Sequence, residues 1–301
     1  MAWKFEPVAG PFTGPLGGLA WDGSGMLVSA TEAGFIYRHD PARGEVTEWR
    51  KYANRVNGIA FAPEPGVLYG CQEGGRRIIQ FQPGGSANPT ATRIDGKVHN
   101  FPCDLCVDRK GRVWFSDPYS PVLAFGPQIF PALDHASVLR LSRDERAHWH
   151  LDRVTDDTVA PRAVLLSPDE RTLYVAEGDA GRSGARELRA YPIGADGRTE
   201  APVVLHTFGA DHRGAHRGIE GMCLDAEGNL VTVCGSRRSG PGPHAMVLTP
   251  SGTVLESHPL PGDLPARCAF GGADLGTLYI STLAGELFTV TGTGRRGYKR
   301  F

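Results

Sequence analysis

The amino-acid sequence predicts an all-β fold, a six-bladed β-propeller whose N-terminal strand closes the last blade. Three observations lead to this prediction. A unit of apolar strand, turn and second apolar strand recurs six times, with copies separated by 40, 46, 59, 58 and 46 residues. Periods of about 40 to 50 residues that contain several short strands are typical of propeller blades. Forty Gly and 23 Pro interrupt the chain, and no stretch has the apolar spacing of a long helix.

The repeat is clearest in residues 218–230, where an apolar run on each side flanks the turn Asp225-Ala226-Glu227-Gly228. Glycine at the end of this turn suits a hairpin connection, and the flanking runs have the pattern of short strands. The residues that begin the first strand of the successive units are Gly17, Asn57, Cys103, Arg162, Glu220 and Ala266. Because a blade cannot bury its faces alone, the six units are predicted to form one domain, residues 1–301.

The predicted strands follow the chain in blade order. A lone strand over Trp3 to Val8 comes before the first complete unit, whereas the last unit has strands only near residues 268–270, 277–282 and 286–291. The N-terminal strand is therefore expected to complete the last blade, which leaves no long open edge. In blade 2, the fourth strand is predicted over residues 90–94.

Blade 3 departs from the repeat by a long insertion, residues 117–136, which contains Tyr119 and several other aromatic residues and prolines. Shorter insertions occupy residues 178–186 in blade 4 and 236–243 in blade 5, and residues 209–217 connect these two blades. Long loops in a compact repeat array often carry function, so residues 117–136 are a candidate lid over the ring axis.

The composition favours a cytoplasmic protein with a small-molecule substrate. Lys plus Arg total 32 and Asp plus Glu total 33, a formal charge of −1, which gives no electrostatic support for a nucleic-acid or anionic membrane partner. The first residues lack a secretion signal and no apolar run reaches membrane-spanning length. The six cysteines lie mostly in apolar strands, so reduced thiols are expected.

Propeller geometry places the start of strand one and the end of strand two of every blade on the same face. The six residues from Gly17 to Ala266 are therefore predicted to ring the mouth of the central channel, and polar groups that converge there are the default candidate site. The candidate substrate-binding residues at this mouth are Asn57, Asp117, Tyr119, Glu177 and His216.

At these positions the sequence resembles the family of gluconolactonase, the senescence marker protein regucalcin and luciferin-regenerating enzyme, which are six-bladed propellers. The resemblance covers essentially the whole chain. It is carried by Trp21, by Pro102-Cys103-Asp104 with Trp114-Phe115-Ser116-Asp117-Pro118, by Ser167-Pro168-Asp169 with Leu173-Tyr174-Val175, and by Glu220-Gly221-Met222. It implies a lactone or ester hydrolase with one divalent ion, calcium or zinc, in the channel.

The residues at the four positions of the implied metal site differ from the family pattern. Gly17 stands where the family has Glu, Cys103 and Arg162 stand where it has Asn, and Glu220 stands where it has Asp. A guanidinium opposes a hard cation, which needs several oxygen ligands. A softer alternative is Zn²⁺ held by Cys103 and Glu220 with His216 or His212.

Three side chains are candidate catalytic residues. Glu220 is a candidate general base, as the resemblance implies, and Arg162 a contact for a substrate anion or an oxyanion. Alternatively, Arg162 and Glu220 form an ion pair that plugs the channel. Cys103 is a candidate nucleophile because a neighbouring cation favours the thiolate. The competing hypotheses are a metal-free lyase, isomerase or condensing enzyme, and a non-catalytic propeller that binds a small carboxylate.

Overall fold

The computed structural model describes residues 3–119, 133–178 and 186–301. It contains six four-stranded antiparallel sheets arranged as the blades of a propeller, which confirms the predicted fold. In each blade the first strand lies innermost and the chain then steps outwards, strand by strand. No helix of the described residues is long and apolar enough to cross a membrane.

The strands are numbered in chain order. The N-terminal strand and blades 1 and 2 comprise β1 (Lys4–Pro7), β2 (Leu16–Trp21), β3 (Met26–Ala30), β4 (Phe35–Asp40), β5 (Glu45–Arg50), β6 (Val56–Phe61), β7 (Leu68–Gln72), β8 (Arg77–Phe81) and β9 (Ala87–Pro89), and a 3-10 helix covers Glu73–Gly75. The short ribbon β10 (Arg93–Ile94) with β11 (Lys97–Val98) precedes blade 3.

Blades 3 and 4 comprise β12 (Leu105–Val107), β13 (Val113–Asp117), β14 (Ser137–Arg143), β15 (Trp149–Arg153), β16 (Val164–Leu166), β17 (Thr172–Glu177), β18 (Arg186–Pro192) and β19 (Val203–Phe208). A second ribbon consists of β20 (Ala210–Asp211) and β21 (Gly214–Ala215). Blades 5 and 6 comprise β22 (Ile219–Leu224), β23 (Leu230–Ser236), β24 (Ser239–Leu248), β25 (Val254–Pro259), β26 (Pro265–Gly271), β27 (Thr277–Thr282) and β28 (Leu287–Thr291).

The ring is closed by the pairing of the two ends of the chain. Strand β1 is antiparallel to β28, from Lys4 opposite Thr291 to Pro7 opposite Phe288. Blade 6 therefore takes its three inner strands from the end of the chain and its outer strand from the beginning. This arrangement confirms the predicted closure.

The fourth strand of blade 2 differs from the prediction. It is β9, residues 87–89, and residues 93–94 belong to the separate ribbon β10–β11. Pro89 ends the strand because it cannot donate a backbone hydrogen bond. The hydroxyl of Thr90 then donates to the carbonyl oxygen of Ile78 at 2.9 Å and holds the chain as it leaves the sheet.

The apolar core lies between the blades. Six clusters of buried side chains occur, and each joins two neighbouring blades around the ring. Between blades 2 and 3, for example, Tyr69 and Ile78 pack with Phe115 and Leu139. Burial of apolar surface is the main favourable contribution to folding. Each blade therefore depends on its neighbours for stability, as the repeat pattern predicts.

Around the channel the first strands approach each other so closely that side chains do not fit between them. A Cβ on Gly58 would lie 2.8 Å from Cα of Asp104, and one on Gly221 would lie 2.6 Å from Cα of Arg267. The N–H of Gly58 also donates to the carbonyl oxygen of Cys103 at 2.9 Å. These contacts explain why glycine recurs at the start of the repeat unit.

Candidate active site

A buried arginine lies in the central channel. Arg267, on β26, is 6% exposed, and its Nε donates to Oδ1 of Asp104 at 3.1 Å. Its Nη1 donates to the carbonyl oxygens of Glu220 and Ala266, and its Nη2 donates to the carbonyl oxygen of Cys103. Nη2 also lies 3.3 Å from Sγ of Cys103. One guanidinium thus ties the first strands of blades 5 and 6 to the segment that leads into blade 3.

Blade 2 adds an amide and a carboxylate to this group. Nδ2 of Asn57 donates to Oε1 of Glu73 at 2.7 Å and lies 3.7 Å from Sγ of Cys103. Glu73 is 5% exposed, and Nη2 of Arg55 lies 3.7 Å from its Oε2. Burial raises the pKa of Glu73 in spite of the Asn57 hydrogen bond and the Arg55 charge.

The contacts of Arg267 and those of Asn57 meet at Cys103. Together they form a continuous line across the channel mouth, from Glu73 through Asn57, Cys103 and Arg267 to the backbone of Glu220. Sequence positions that lie as much as 164 residues apart meet here. Burial raises the pKa of the Cys103 thiol, whereas the positive charges of Arg267 and Arg162 act in the opposite direction. Because burial has the larger effect, the thiol is the favoured form.

Glu220 carries the second carboxylate of the mouth. It is 7% exposed, and its Oε1 lies 3.2 Å from Nε of Arg217, three residues earlier in the chain. The sequence predicts Arg162 as the partner of Glu220, and the structure adds the guanidinium of Arg217. The structure thus places the guanidinium of Arg217 directly beside the carboxylate that is the candidate general base.

The SMP-30/Gluconolactonase/LRE-like region matches residues 18–284 of the chain. The chain belongs to this family. The match includes all six first strands apart from the start of β2, so it covers every predicted ring residue except Gly17. It confirms the family resemblance that the sequence motifs indicate.

Two relatives and one solved structure place the chain within the family. The gluconolactonase of Zymomonas mobilis subsp. mobilis is 28% identical over 229 residues, which cover 75% of this chain and 60% of that protein. The 6-deoxy-6-sulfogluconolactonase of Pseudomonas putida is 26% identical over 263 residues, which cover 83% and 76% of the two chains. A gluconolactonase structure from Xanthomonas campestris has 26% identity and a TM-score of 0.76, with 96% of this chain and 89% of that chain covered.

Two of the candidate substrate-binding residues are engaged by backbone groups. Both carboxylate oxygens of Asp117 accept backbone N–H bonds, at 2.7 Å from Asn100 and 2.9 Å from Phe101. Oε1 of Glu177 accepts the N–H groups of residues 159 and 160 in the same way. Burial raises the pKa of Asp117 to about 7 and raises that of Glu177. Each carboxylate at the end of a second strand thus anchors the loop that leads into the first strand of its own blade.

The three remaining candidate residues, Tyr119, Arg162 and His216, lie in three different parts of the ring. Tyr119 is 38% exposed next to residues 120–132, and most of the predicted lid, residues 117–136, lies outside the described residues. Arg162 lies at the start of blade 4, where its carbonyl oxygen accepts the hydroxyl of Ser116 at 2.8 Å. His216 is buried in blade 5 with Cys234 and His244, whereas the predicted zinc partner Cys103 contacts Asn57 and Arg267.

A cavity lies at the other end of the channel. It measures about 930 Å³ and is lined by the later residues of the first strands and by the C-terminal residues 297–301. Asp104 and Arg267, which form an ion pair, are among its lining residues. We consider the group around Arg267 and Asn57 the candidate active site because it includes the buried carboxylate of Glu73 and adjoins that of Glu220.

Arg267 and Arg217 are the residues at the mouth that sequence reasoning missed. The signal for Arg267 was an arginine within an otherwise apolar first strand, one residue after the expected ring position Ala266. A register shift between Pro265 and Arg267 interrupts the regular alternation of side chains at this point. Arg217 is recognisable only by its spacing of three residues from Glu220.

Proposed function

We propose that the protein hydrolyses a small lactone at the channel mouth, with Glu220 as the general base. The observation that supports this proposal is the line of contacts from the Glu73 carboxylate through an amide, a thiol and a guanidinium to the backbone of Glu220, whose own buried carboxylate pairs with Arg217. The gluconolactonase relatives supply the substrate class. The chain spans 60% of the length of the Zymomonas protein, and the activity is therefore proposed on the residues of the chain itself.

The reaction requires a nucleophilic water, a base and positive charge near the carbonyl oxygen. Glu220 takes a proton from water as the water oxygen attacks the lactone carbonyl carbon, and Arg162 faces the developing oxyanion. Collapse of the tetrahedral intermediate breaks the ring C–O bond, and the proton passes to the ring oxygen. The product is the open hydroxy acid. Asn57 supplies an amide for substrate hydroxyl groups, and Glu73 holds that amide in place.

The divalent ion implied by the family does not fit these residues. Gly17 has no side chain that could serve as a metal ligand. A Cβ at this position would lie 2.7 Å from Oδ1 of Asn57 and 2.8 Å from Oγ of Ser29. Cys103 and Glu220 stand at two of the four metal-ligand positions of the family. The guanidinium of Arg267 contacts Sγ of Cys103 and the backbone carbonyl oxygen of Glu220, and the Glu220 carboxylate pairs with Arg217. A fixed cation there repels calcium and engages these two residues. We therefore derive no catalytic step through a metal at this mouth.

Cys103 is proposed as a lining residue, because its raised thiol pKa disfavours the thiolate. Replacement of Cys103 by Ala is expected to lower lactone turnover by less than about tenfold, the effect of losing one hydrogen-bonding contact. Loss of a nucleophile would instead reduce turnover by a factor on the order of 10⁶. Turnover is measured as acid release from glucono-δ-lactone, corrected for spontaneous hydrolysis.

The matched control for Cys103→Ala is Cys106→Ala, because Cys106 is also buried and packs with Trp114 and Val164. The account expects both variants to turn over lactone at similar rates. A Cys103→Ala protein that is folded but inactive, beside an active Cys106→Ala protein, would return Cys103 to the role of nucleophile. Stoichiometric binding of the lactone by the wild-type protein without acid release would contradict the proposed hydrolase altogether.

A further inference from the structure

Two histidines and a cysteine meet inside blade 5, apart from the proposed catalytic residues. One ligand atom each from His216, Cys234 and His244 lies within 4.8 Å of the other two, and all three residues are buried. They come from three elements, since His216 follows β21, Cys234 is on β23 and His244 is on β24. Within the described residues, these three side chains form a group of His, Cys, Asp or Glu that is close enough to hold one metal ion.

His244 and Cys234 already have the arrangement of a ligand pair. The two residues are directly opposite each other in the β23–β24 register, and Sγ of Cys234 lies 3.2 Å from Nε2 of His244. The other ring nitrogen, Nδ1, lies 2.7 Å from the carbonyl oxygen of Gly242 and donates to it. A metal-binding histidine usually makes such a bond with its second nitrogen, which fixes the ring and leaves Nε2 as the ligand.

His216 provides an independent indication that a ligand is missing. It is 5% exposed, and among the described residues its Nε2 has no hydrogen-bond partner. The ring is fixed by stacking on Phe208, with 4.7 Å between the ring centroids. A buried polar atom without a partner is unfavourable, and such atoms in native proteins call for an explanation such as an ion.

The backbone is shaped to let these groups meet. Gly235, directly after Cys234, has a φ of 79°, and a Cβ there would lie 2.2 Å from the carbonyl oxygen of Gly242 and 3.1 Å from Nε2 of His216. Only glycine allows both approaches at this point.

The charged groups that act on His216 have opposite signs. They are the guanidinium of Arg186 and the carboxylate of Asp211.

We propose that His216, Cys234 and His244 bind one zinc ion, which ties the 209–217 connection to strands β23 and β24. One thiolate and two imidazole nitrogens suit zinc and lack the oxygen atoms that calcium and magnesium need. Three protein ligands leave the fourth tetrahedral position for water. The site is distinct from the channel-mouth metal of the family, and it does not depend on the proposed lactone hydrolysis.

The proton balance of binding follows from the hydrogen bonds. The N–H of Gly218 donates to Nδ1 of His216 at 2.9 Å, so the neutral ring carries its proton on Nε2. Zinc binding through Nε2 moves this proton to Nδ1, so the N–H of Gly218 has to turn away from Nδ1 and its hydrogen bond is lost in exchange for the metal bond. The thiol of Cys234 loses its proton to become a ligand. One proton is therefore released for each ion bound.

The test uses the full chain, reduced and freed of metal by a chelator, and titrates it with Co²⁺ as a spectroscopic probe for zinc. The expected result is one Co²⁺ per chain, a thiolate-to-cobalt charge-transfer band, and loss of the band when Zn²⁺ is added. Cys234→Ala is expected to lose the band, whereas Cys71→Ala, another buried cysteine in a second strand, retains it. No band in the wild-type protein, or an undiminished band in Cys234→Ala, overturns the proposal.

A second measurement keeps the test decisive if Cys234→Ala does not fold. X-ray absorption of the zinc-loaded wild-type protein should show one sulfur at about 2.3 Å and two nitrogens at about 2.0 Å from the ion. An all-oxygen shell would refute the site. Zinc should also raise the melting temperature of the wild-type and Cys71→Ala proteins, since it links three elements of blade 5.

Discussion

Replacement of Glu220 by Gln is expected to reduce lactone turnover by about 10²- to 10⁴-fold, the usual contribution of a positioned general base. Glutamine has nearly the same shape as glutamate and still accepts a hydrogen bond from Arg217, which lies 3.2 Å from the carboxylate in the wild-type protein. It cannot take a proton from water at neutral pH. The expected loss is therefore in kcat, with a smaller change in KM. The measurement is acid release from glucono-δ-lactone over a range of substrate concentrations.

The matched control is Glu256→Gln on the outer strand β25, where the carboxylate pairs with Arg295 and His258 far from the channel mouth. This variant loses an ion pair but should retain wild-type turnover. The melting temperature of each variant separates catalysis from stability. If Glu220→Gln melts at a much lower temperature but still hydrolyses lactone at the wild-type rate, Glu220 is a structural residue of the channel and the proposed mechanism is wrong.

Replacement of Arg267 by Met is expected to lower the free energy of unfolding by about 3 to 5 kcal/mol, because it leaves Asp104 as an unpaired buried carboxylate. In the wild-type protein the Arg267 guanidinium offsets part of the effect of burial on the pKa of Asp104. It also satisfies three backbone carbonyl groups around the channel. The measurement is chemical denaturation of both proteins. The double variant Arg267→Met, Asp104→Leu should regain part of the loss.

The loss of stability in Arg267→Met is expected to depend on pH. An acid whose folded pKa lies above its unfolded pKa binds more protons in the folded state, so its folded form loses stability as pH rises. Burial raises the pKa of Asp104, and removal of Arg267 raises it further. The stability deficit of Arg267→Met should therefore shrink as pH falls towards the unfolded pKa of Asp104, near 4.

A surface ion pair serves as the control for Arg267. Arg213 and Asp211 pair at 3.0 Å with Arg213 43% exposed, and Arg213→Met should cost less than about 1 kcal/mol. An equally small loss in Arg267→Met would show that the buried pair contributes little to the stability of the ring. The proposed role of the guanidinium as the link between blades 3, 5 and 6 would then be abandoned.

The blade organisation could be predicted because it rests on local patterns. The unit of apolar strand, glycine turn and second strand is short, as in residues 218–230. Glycine recurs at the start of the unit because the first strands touch at positions such as Gly58 and Gly221. The closure of the ring was also predictable, since the last unit lacks one strand and the N-terminal segment supplies it. These features follow from periodicity and from the need to pair strand edges.

The site was predicted only in part because register shifts change which side chains face the channel. Shifts occur at the beginning of the first strands β2, β6, β22 and β26. Alternation counted from the sequence therefore fails at the mouth, where the shift in β26 directly precedes Arg267. Asn57, Cys103 and Glu220 are predicted to lie together; Asn57 contacts Cys103, and the unforeseen Arg267 joins Cys103 to the backbone of Glu220.

The His216, Cys234 and His244 cluster was hidden for a different reason. His216 was considered with residues of other blades, whereas its partners lie opposite each other on the hairpin β23–β24, ten residues apart in sequence. The sequence predicts an insertion over residues 236–243, whereas in the structure β24 begins at Ser239 and pairs with β23. The hairpin register places Cys234 opposite His244. The approach of His216 from the 209–217 connection is the contact that local pairing does not predict.

The most direct test of the proposed hydrolase is the turnover of glucono-δ-lactone by the chelator-treated protein, with and without added calcium or zinc, beside Glu220→Gln. The assay temperature is kept well below the melting point of the metal-free protein, so that the proposed zinc site in blade 5 affects stability alone. The account predicts turnover that is unchanged by metal in the wild-type protein and lost in the variant. Turnover that disappears with the chelator and returns with calcium would contradict it.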